Sequence, residues 1–183
     1  MRIISGTARG LKLKTPRGMA TRPTADRIKE SLFNVLTCMI DFGDRHVLDL
    51  FAGSGALGLE SLSRGASTAT MIDRSSTDCI EDNFRRSKLV GATILRADVF
   101  RALERLSDQK FDLIFIDPPY HHGLAQRAVE AIVEKNLLTV DGLMVVEHGV
   151  DEKIFSPSVE TIRALEYGRT TALEIIKLKS EAT

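Results

Sequence analysis

The sequence has no tryptophan, two tyrosines and only 5% aromatic residues. Any side chain that must stack on a planar ligand therefore comes from a short list. Its two cysteines, Cys38 and Cys79, stand apart, with no second thiol or histidine at metal spacing. That excludes a disulfide framework and leaves a reduced, cytoplasmic setting as the plain reading. No run of about 18 apolar residues occurs, so no membrane-spanning helix is expected. The opening MRIISGTARG lacks the apolar core of a secretion signal. Adjacent His121 and His122 have no further ligands nearby in sequence, so no metal site is expected.

What is present fits one globular unit: 183 residues, 43% of them hydrophobic and 27% charged. Formal net charge is zero, but its distribution is uneven. Residues 1–24 hold Arg2, Arg9, Lys12, Lys14, Arg17 and Arg22 and no acid, while the remaining chain holds 19 bases against 25 acids. A basic arm on an acidic body suits a polyanion, and a solvated tail suits the same count.

Short strand-like runs at Arg2–Ser5 and Leu11–Lys14, around Gly6 and Gly10, predict an N-terminal hairpin. Pro16, Gly18 and Pro23 mark a loop, and Thr24 is a candidate N-cap for a helix to about Ile40. Strand-like runs then recur at His46–Phe51, Thr68–Ile72, Thr93–Ala97, Phe111–Asp117 and Leu143–Glu147. Helical segments fit between them at Gly58–Arg64, Thr77–Lys88, Phe100–Leu106 and Leu124–Lys135. That alternation predicts an α/β fold with a mostly parallel sheet. Thr161–Tyr167 and Thr171–Lys179 are separated by three residues, too few for a crossover helix. They predict an antiparallel C-terminal hairpin, which a plain dinucleotide-binding fold does not need.

The segment DLFAGSGALGLE leaves a strand and enters a helix, with Gly53, Gly55 and Gly58 in the pattern G-x-G-x-x-G. Glycines allow a tight turn and close approach of backbone to a ligand. Asp73, 20 residues beyond Gly53, could accept hydrogen bonds from a ribose diol. This much fits NAD or S-adenosylmethionine equally. Asp49 separates them: its carboxylate at the mouth of the turn would repel a pyrophosphate and attract a ligand carrying sulfonium and ammonium groups. Asp98 is placed to accept from an adenine amine, and a loop or helix-capping role suits each aspartate too.

FDLIFID is a buried strand ending in Asp117, followed by Pro118, Pro119 and Tyr120. Two prolines force the chain out of the sheet and hold Asp117 and the Pro118 carbonyl in a rigid presentation. Two such acceptors can hold both hydrogens of an exocyclic base amine and turn its lone pair toward a methyl donor. Tyr120 would stack on the target base. The residues thus predict an S-adenosylmethionine-dependent methyltransferase, with Asp117, Pro118 and Tyr120 at the reaction and Asp49, Gly53, Gly55, Asp73 and Asp98 at the cofactor.

With those residues in view, the chain resembles the bacterial small-subunit ribosomal RNA guanine-N2 methyltransferases (RsmD type). The likeness runs through MRIISGTARGLKLKTP, TRPTADRIKESLFNVL, DLFAGSGALGLESLSRGA, FDLIFIDPPY and EYGRTTALEIIKLK, nearly the whole chain in order. It implies a class I methyltransferase fold, methylation of a guanine amine in 16S rRNA within a small-subunit particle, and RNA docking through the N-terminal hairpin. Arg2, Arg9, Lys12 and Arg22 are the substrate-side candidates. Domain bounds follow as 1–22 for hairpin and linker and 23–183 for the methyltransferase domain. The alternatives are a DNA adenine-N6 or cytosine-N4 methyltransferase and a non-catalytic RNA-binding assembly module.

Overall fold

Two glycines in the left-handed region, Gly6 (φ 81°) and Gly10 (φ 87°), fold the first residues of the chain back on themselves. The arms pair through an antiparallel bridge between Arg2 and Lys12. Backbone bonds run from Ile3 N–H to Leu11 O (3.0 Å), Gly10 N–H to Ile3 O (2.9 Å) and Leu13 N–H to Met1 O (3.0 Å). The expected hairpin is there, too short for regular strands. Ile3 and Leu13 are buried, and each contributes about 1.5–3 kcal/mol by leaving water. The computed structural model describes residues 1–16 and 23–180, so Arg17 and Arg22 lie outside the described residues.

The chain divides into two compact units, Met1–Asp98 and Val99–Thr183. In the first, α1 (Pro23–Met39) precedes β1 (His46–Leu50), α2 (Ala56–Ser63), β2 (Thr68–Asp73), α3 (Thr77–Ser87) and β3 (Ala92–Arg96). β2 is the central strand of this part, parallel to β1 on one side and β3 on the other. Register places Asp49 opposite Met71 and Asp73 opposite Arg96, so the acidic residues gather at the carboxyl ends of the strands. That end is where ligands bind in open α/β sheets.

The second unit holds α4 (Val99–Arg105), β4 (Phe111–Ile116), α5 (Leu124–Glu134), β5 (Leu138–Gly149), β6 (Val159–Tyr167) and β7 (Thr171–Leu178). Its strand order is β4-β5-β7-β6. β4 and β5 are parallel, β7 runs antiparallel to β5, and β6 closes the antiparallel hairpin. The expected mostly parallel sheet with an antiparallel ending is therefore the observed one. β6 exposes Glu160, Arg163 and Glu166, a charged edge that discourages pairing with another chain. β5 is much longer than Leu143–Glu147. It carries Asp141 and Gly142 within an irregularity in its pairing with β4.

Candidate active site

The cofactor-side candidates start from the end of β1. Asp49 is 1% exposed, and its Oδ2 accepts the Gly58 N–H at 2.9 Å, tying the strand to the first turn of α2. Burial pushes this carboxyl up to about 7; the Gly58 bond opposes the shift and neighbouring Asp73 adds to it. An added cation beside Asp49 would favour its ionised form.

The turn itself is strained. Phe51 sits at φ 60°, which costs a residue with a Cβ about 1–2 kcal/mol, and Gly53 and Gly55 follow at 56° and 75°. The three glycines have different reasons to be glycine. A Cβ on Gly58 would lie 2.7 Å from Met71 Cγ, and one on Gly55 would lie 2.9 Å from Ile80 Cγ2. These two are needed for packing. At Gly53 a Cβ would meet nothing nearer than Phe51 O at 3.9 Å, leaving open space beside a positively twisted backbone.

Asp73 at the end of β2 is a latch. Its Oδ2 accepts Gly53 N–H at 2.9 Å, and Oδ1 accepts the N–H groups of Ser75 (2.8 Å) and Ser76 (2.7 Å). The loop-forming role open to it in sequence is therefore realised, and a ribose diol would share a carboxylate already bonded to the turn. Asp98 is exposed and directly precedes α4.

The amine-side candidates lie in the second unit. β4 is buried from Leu113 to Ile116; Asp117 emerges exposed, Pro118 is buried and Pro119 exposed. Tyr120 is half-buried, and its hydroxyl donates to Glu147 Oε1 and shares a 3.2 Å contact with Thr171 Oγ1. Burial, then the bond to Glu147, raises the Tyr120 hydroxyl above its usual pKa, so it remains protonated. Burial likewise raises Glu147, against the opposing effect of Tyr120's hydrogen bond. His121 has φ 65° and lies 3.5 Å from Asp151, both exposed. His148, on β5, is buried, with Nδ1 2.8 Å from Gly149 O and Nε2 3.3 Å from Glu174. Among the described residues no cluster of three or more His, Cys, Asp or Glu side chains could hold a metal.

Sequence reasoning missed Glu60. It is wholly buried on α2, where Oε2 accepts the Ile4 N–H (2.7 Å) and pairs with Lys29 (3.0 Å). Oε1 accepts Ser5 N–H (3.0 Å) and Arg64 Nε (2.8 Å). Burial lowers the Lys29 pKa while Glu60 raises it. One carboxylate thus joins the arm, α1 and α2, and breaking such a buried pair costs about 3–5 kcal/mol. A second anchor holds the arm's turn: Thr7 N–H bonds Ser63 O (2.8 Å), and a Cβ on Gly6 would lie 1.6 Å from that oxygen. Arg2, Arg9 and Lys12 remain exposed on this fixed frame.

The glycine turn, with open space at Gly53 and carboxylates at Asp49 and Asp73, fits an adenosyl ligand bearing cationic groups. A family model described as conserved hypothetical protein 95 matches residues 1–176. The chain is 36% identical to ribosomal RNA small subunit methyltransferase D of Haemophilus influenzae, over 88% of this chain and 86% of that protein. The solved structure of the yhhF protein from Escherichia coli superposes with a TM-score of 0.85 at 32% identity, covering 99% of both chains. The solved structure of SMU.776, described as a methyltransferase complexed with SAH, shares the fold at TM-score 0.67 and 15% identity, over 86% of this chain and 50% of that one.

Proposed function

The chain belongs to the conserved hypothetical protein 95 family, the family of ribosomal RNA small subunit methyltransferase D, and on that premise we propose its reaction and target. It is a methyltransferase of ribosomal RNA that takes its methyl group from S-adenosylmethionine. The target in this reading is the exocyclic N2 amine of a guanine in 16S rRNA, presented in a small-subunit particle in the cytoplasm. Among the described residues no helix is long and apolar enough to cross a membrane.

The observation that carries the reading is the exit from β4: an exposed carboxylate at Asp117 followed by a buried proline and a half-buried tyrosine. Guanine N2 is a poor nucleophile because its lone pair is delocalised into the ring. Asp117 and the Pro118 carbonyl accept its two hydrogens, favour a pyramidal nitrogen and aim the lone pair. The Tyr120 ring holds the unstacked base, while its hydroxyl is anchored by Glu147 and Thr171. After transfer the nitrogen is cationic, and Asp117 or water takes its proton. For the cofactor, Gly53 and Gly55 line the turn, Asp49 meets the ammonium end, and Asp73 and Asp98 take the ribose and adenine. When bound, the cofactor supplies an electrophilic sulfonium methyl.

Arg2, Arg9 and Lys12 form the RNA-side surface, and the seating of the hairpin by Glu60 and Ser63 supports that role, because a docking arm must hold its charges in register. In this reading the hairpin and linker, 1–22, dock the substrate, and 23–183 form the methyltransferase domain. The test is direct. The protein is incubated with labelled S-adenosylmethionine and undermodified small ribosomal subunits, and the modified nucleotide is mapped by mass spectrometry. Label on a single guanine N2 is expected. Label on adenine or on cytosine would overturn the target.

A further inference from the structure

Asn83 lies on α3, is completely buried, and reaches two other segments through its amide, whose Oδ1 also accepts from Arg86 Nη1 on the same helix at 3.4 Å. Its Oδ1 accepts the Lys14 N–H at 2.8 Å. Its Nδ2 donates to Lys14 O at 2.9 Å and to Ser54 O at 3.0 Å. The partners fix which end is which, because a reversed amide would face its oxygen toward two carbonyls. Lys14 ends the basic hairpin, and Ser54 stands between Gly53 and Gly55 in the cofactor turn. One buried amide therefore touches both the arm and the turn.

α3 adds further grips on the same stretch of arm. Arg86 donates to Lys12 O at 3.0 Å, and Lys14 Nζ pairs with Asp82 at 2.8 Å. The turn is held by Ala52 N–H to Ile72 O at 2.9 Å, by Asp73 to Gly53, by Gly55 N–H to Ala52 O at 2.7 Å and by Asn83 to Ser54, and of these bonds the last comes from the side chain that also holds the arm. A ligand that orders the turn also orders the acceptor of Asn83, and with it the seat of Lys14.

We propose that Asn83 is a positioning residue that couples the N-terminal arm to the cofactor turn, so that filling either site firms the other. Such coupling is reciprocal: cofactor would tighten substrate docking by the same factor by which substrate tightens cofactor binding. The consequence for RNA rests on the arm being the RNA-docking element; the coupling itself does not.

Amide hydrogen exchange on the full wild-type chain, with and without S-adenosylhomocysteine, tests the coupling without any variant. Saturation is expected to slow exchange at the Lys14 N–H roughly tenfold, within the usual range of site-to-site coupling. The Leu13 N–H, bonded to Met1 across the hairpin, should change less. Asn83→Asp keeps an acceptor for Lys14 N–H but donates to neither carbonyl, and should lose the effect. Unchanged Lys14 exchange in the saturated wild-type protein overturns the proposal, as does equal slowing in Asn83→Asp. A second measurement reads the functional side: filter retention of undermodified small subunits with and without S-adenosylhomocysteine. The wild-type ratio should be roughly fivefold or more and fall to near one in Asn83→Asp. Equal ratios in the two proteins overturn the coupling of the sites. Lys14 protection in a protein that retains no subunits instead sinks the RNA reading and leaves the joint standing.

Discussion

The two chain exits after β1 and β4 solve opposite problems. After β1 the chain uses glycine, accepts positive φ at Phe51, Gly53 and Gly55, and buries its carboxylate at Asp49. After β4 it uses proline and leaves its carboxylate at Asp117 exposed. In the proposed reading the first arrangement lets backbone approach the cofactor closely and sets a buried carboxylate beside its cationic groups. In the same reading the second fixes the direction of a few acceptors for the target base. Damage at the first exit should therefore appear as cofactor affinity, and damage at the second as turnover.

Asp117→Ala breaks the comparison hardest. Transfer should fall by about 10³-fold, as for removal of one preorganised polar group at a reacting centre, with calorimetric affinity for S-adenosylhomocysteine unchanged. Normal turnover in this variant would remove Asp117 from the reaction. The arm sets the next largest effect. Replacing both Arg9 and Lys12 by Glu should weaken retention of small subunits more than about tenfold at low salt and far less at high salt. Loss independent of salt would show that the arm serves only structure.

The buried Asp49 gives a pH signature at the first exit. Its folded pKa of about 7 lies above the ordinary 3.8, so the folded chain holds this proton more tightly than the unfolded chain does. The associated stability is present in acid and is lost as pH rises from about 4 to about 7. Cofactor binding runs the other way, since a cationic ligand needs the carboxylate. Affinity should rise about tenfold between pH 6 and pH 8, following the ionised fraction of a group titrating near 7. Asp49→Asn keeps an acceptor for Gly58 N–H and should flatten both slopes. A titration curve identical to wild type would show that Asp49 does not face the ligand's charge.

Much of this was legible in the sequence because it is local. Five strand-helix alternations, the Asp-Pro-Pro-Tyr exit and the three-residue gap before Thr171 are each written within a dozen residues. Boundaries moved where a local signal had two meanings. The β1 run ends at Leu50 because Phe51 already turns, and α2 begins at Ala56 because Gly55 caps it in a left-handed conformation. The long-range contacts were not legible. Glu60 reaches residues 55 and 56 positions away in the arm, and Asn83 reaches across 69 positions to Lys14. An acid or amide on a helix reads as a solvated face, and only the packed chain reveals the partners that make its burial tolerable. Asp73 differs, because the loop-forming role open to it in sequence is the one its three hydrogen bonds to backbone N–H groups fulfil.

The smallest effect separates two uses of one side chain. Tyr120 has a ring available to hold a base and a hydroxyl committed to Glu147 and Thr171. Tyr120→Phe keeps the ring and removes the donor from a mostly buried Glu147, which costs about 1–3 kcal/mol of stability unless Glu147 is protonated. Because Glu147 is already biased toward its neutral form, the loss should be near the lower limit and should grow with pH. Turnover should fall only a few-fold, about what one neutral hydrogen bond contributes, with the change in KM rather than in kcat if the hydroxyl merely aims the ring. Tyr120→Ala removes the platform itself and should raise KM further while leaving cofactor affinity alone. If Phe and Ala give the same small loss, the ring does not touch the base, and the second exit presents its carboxylate without a stacking partner.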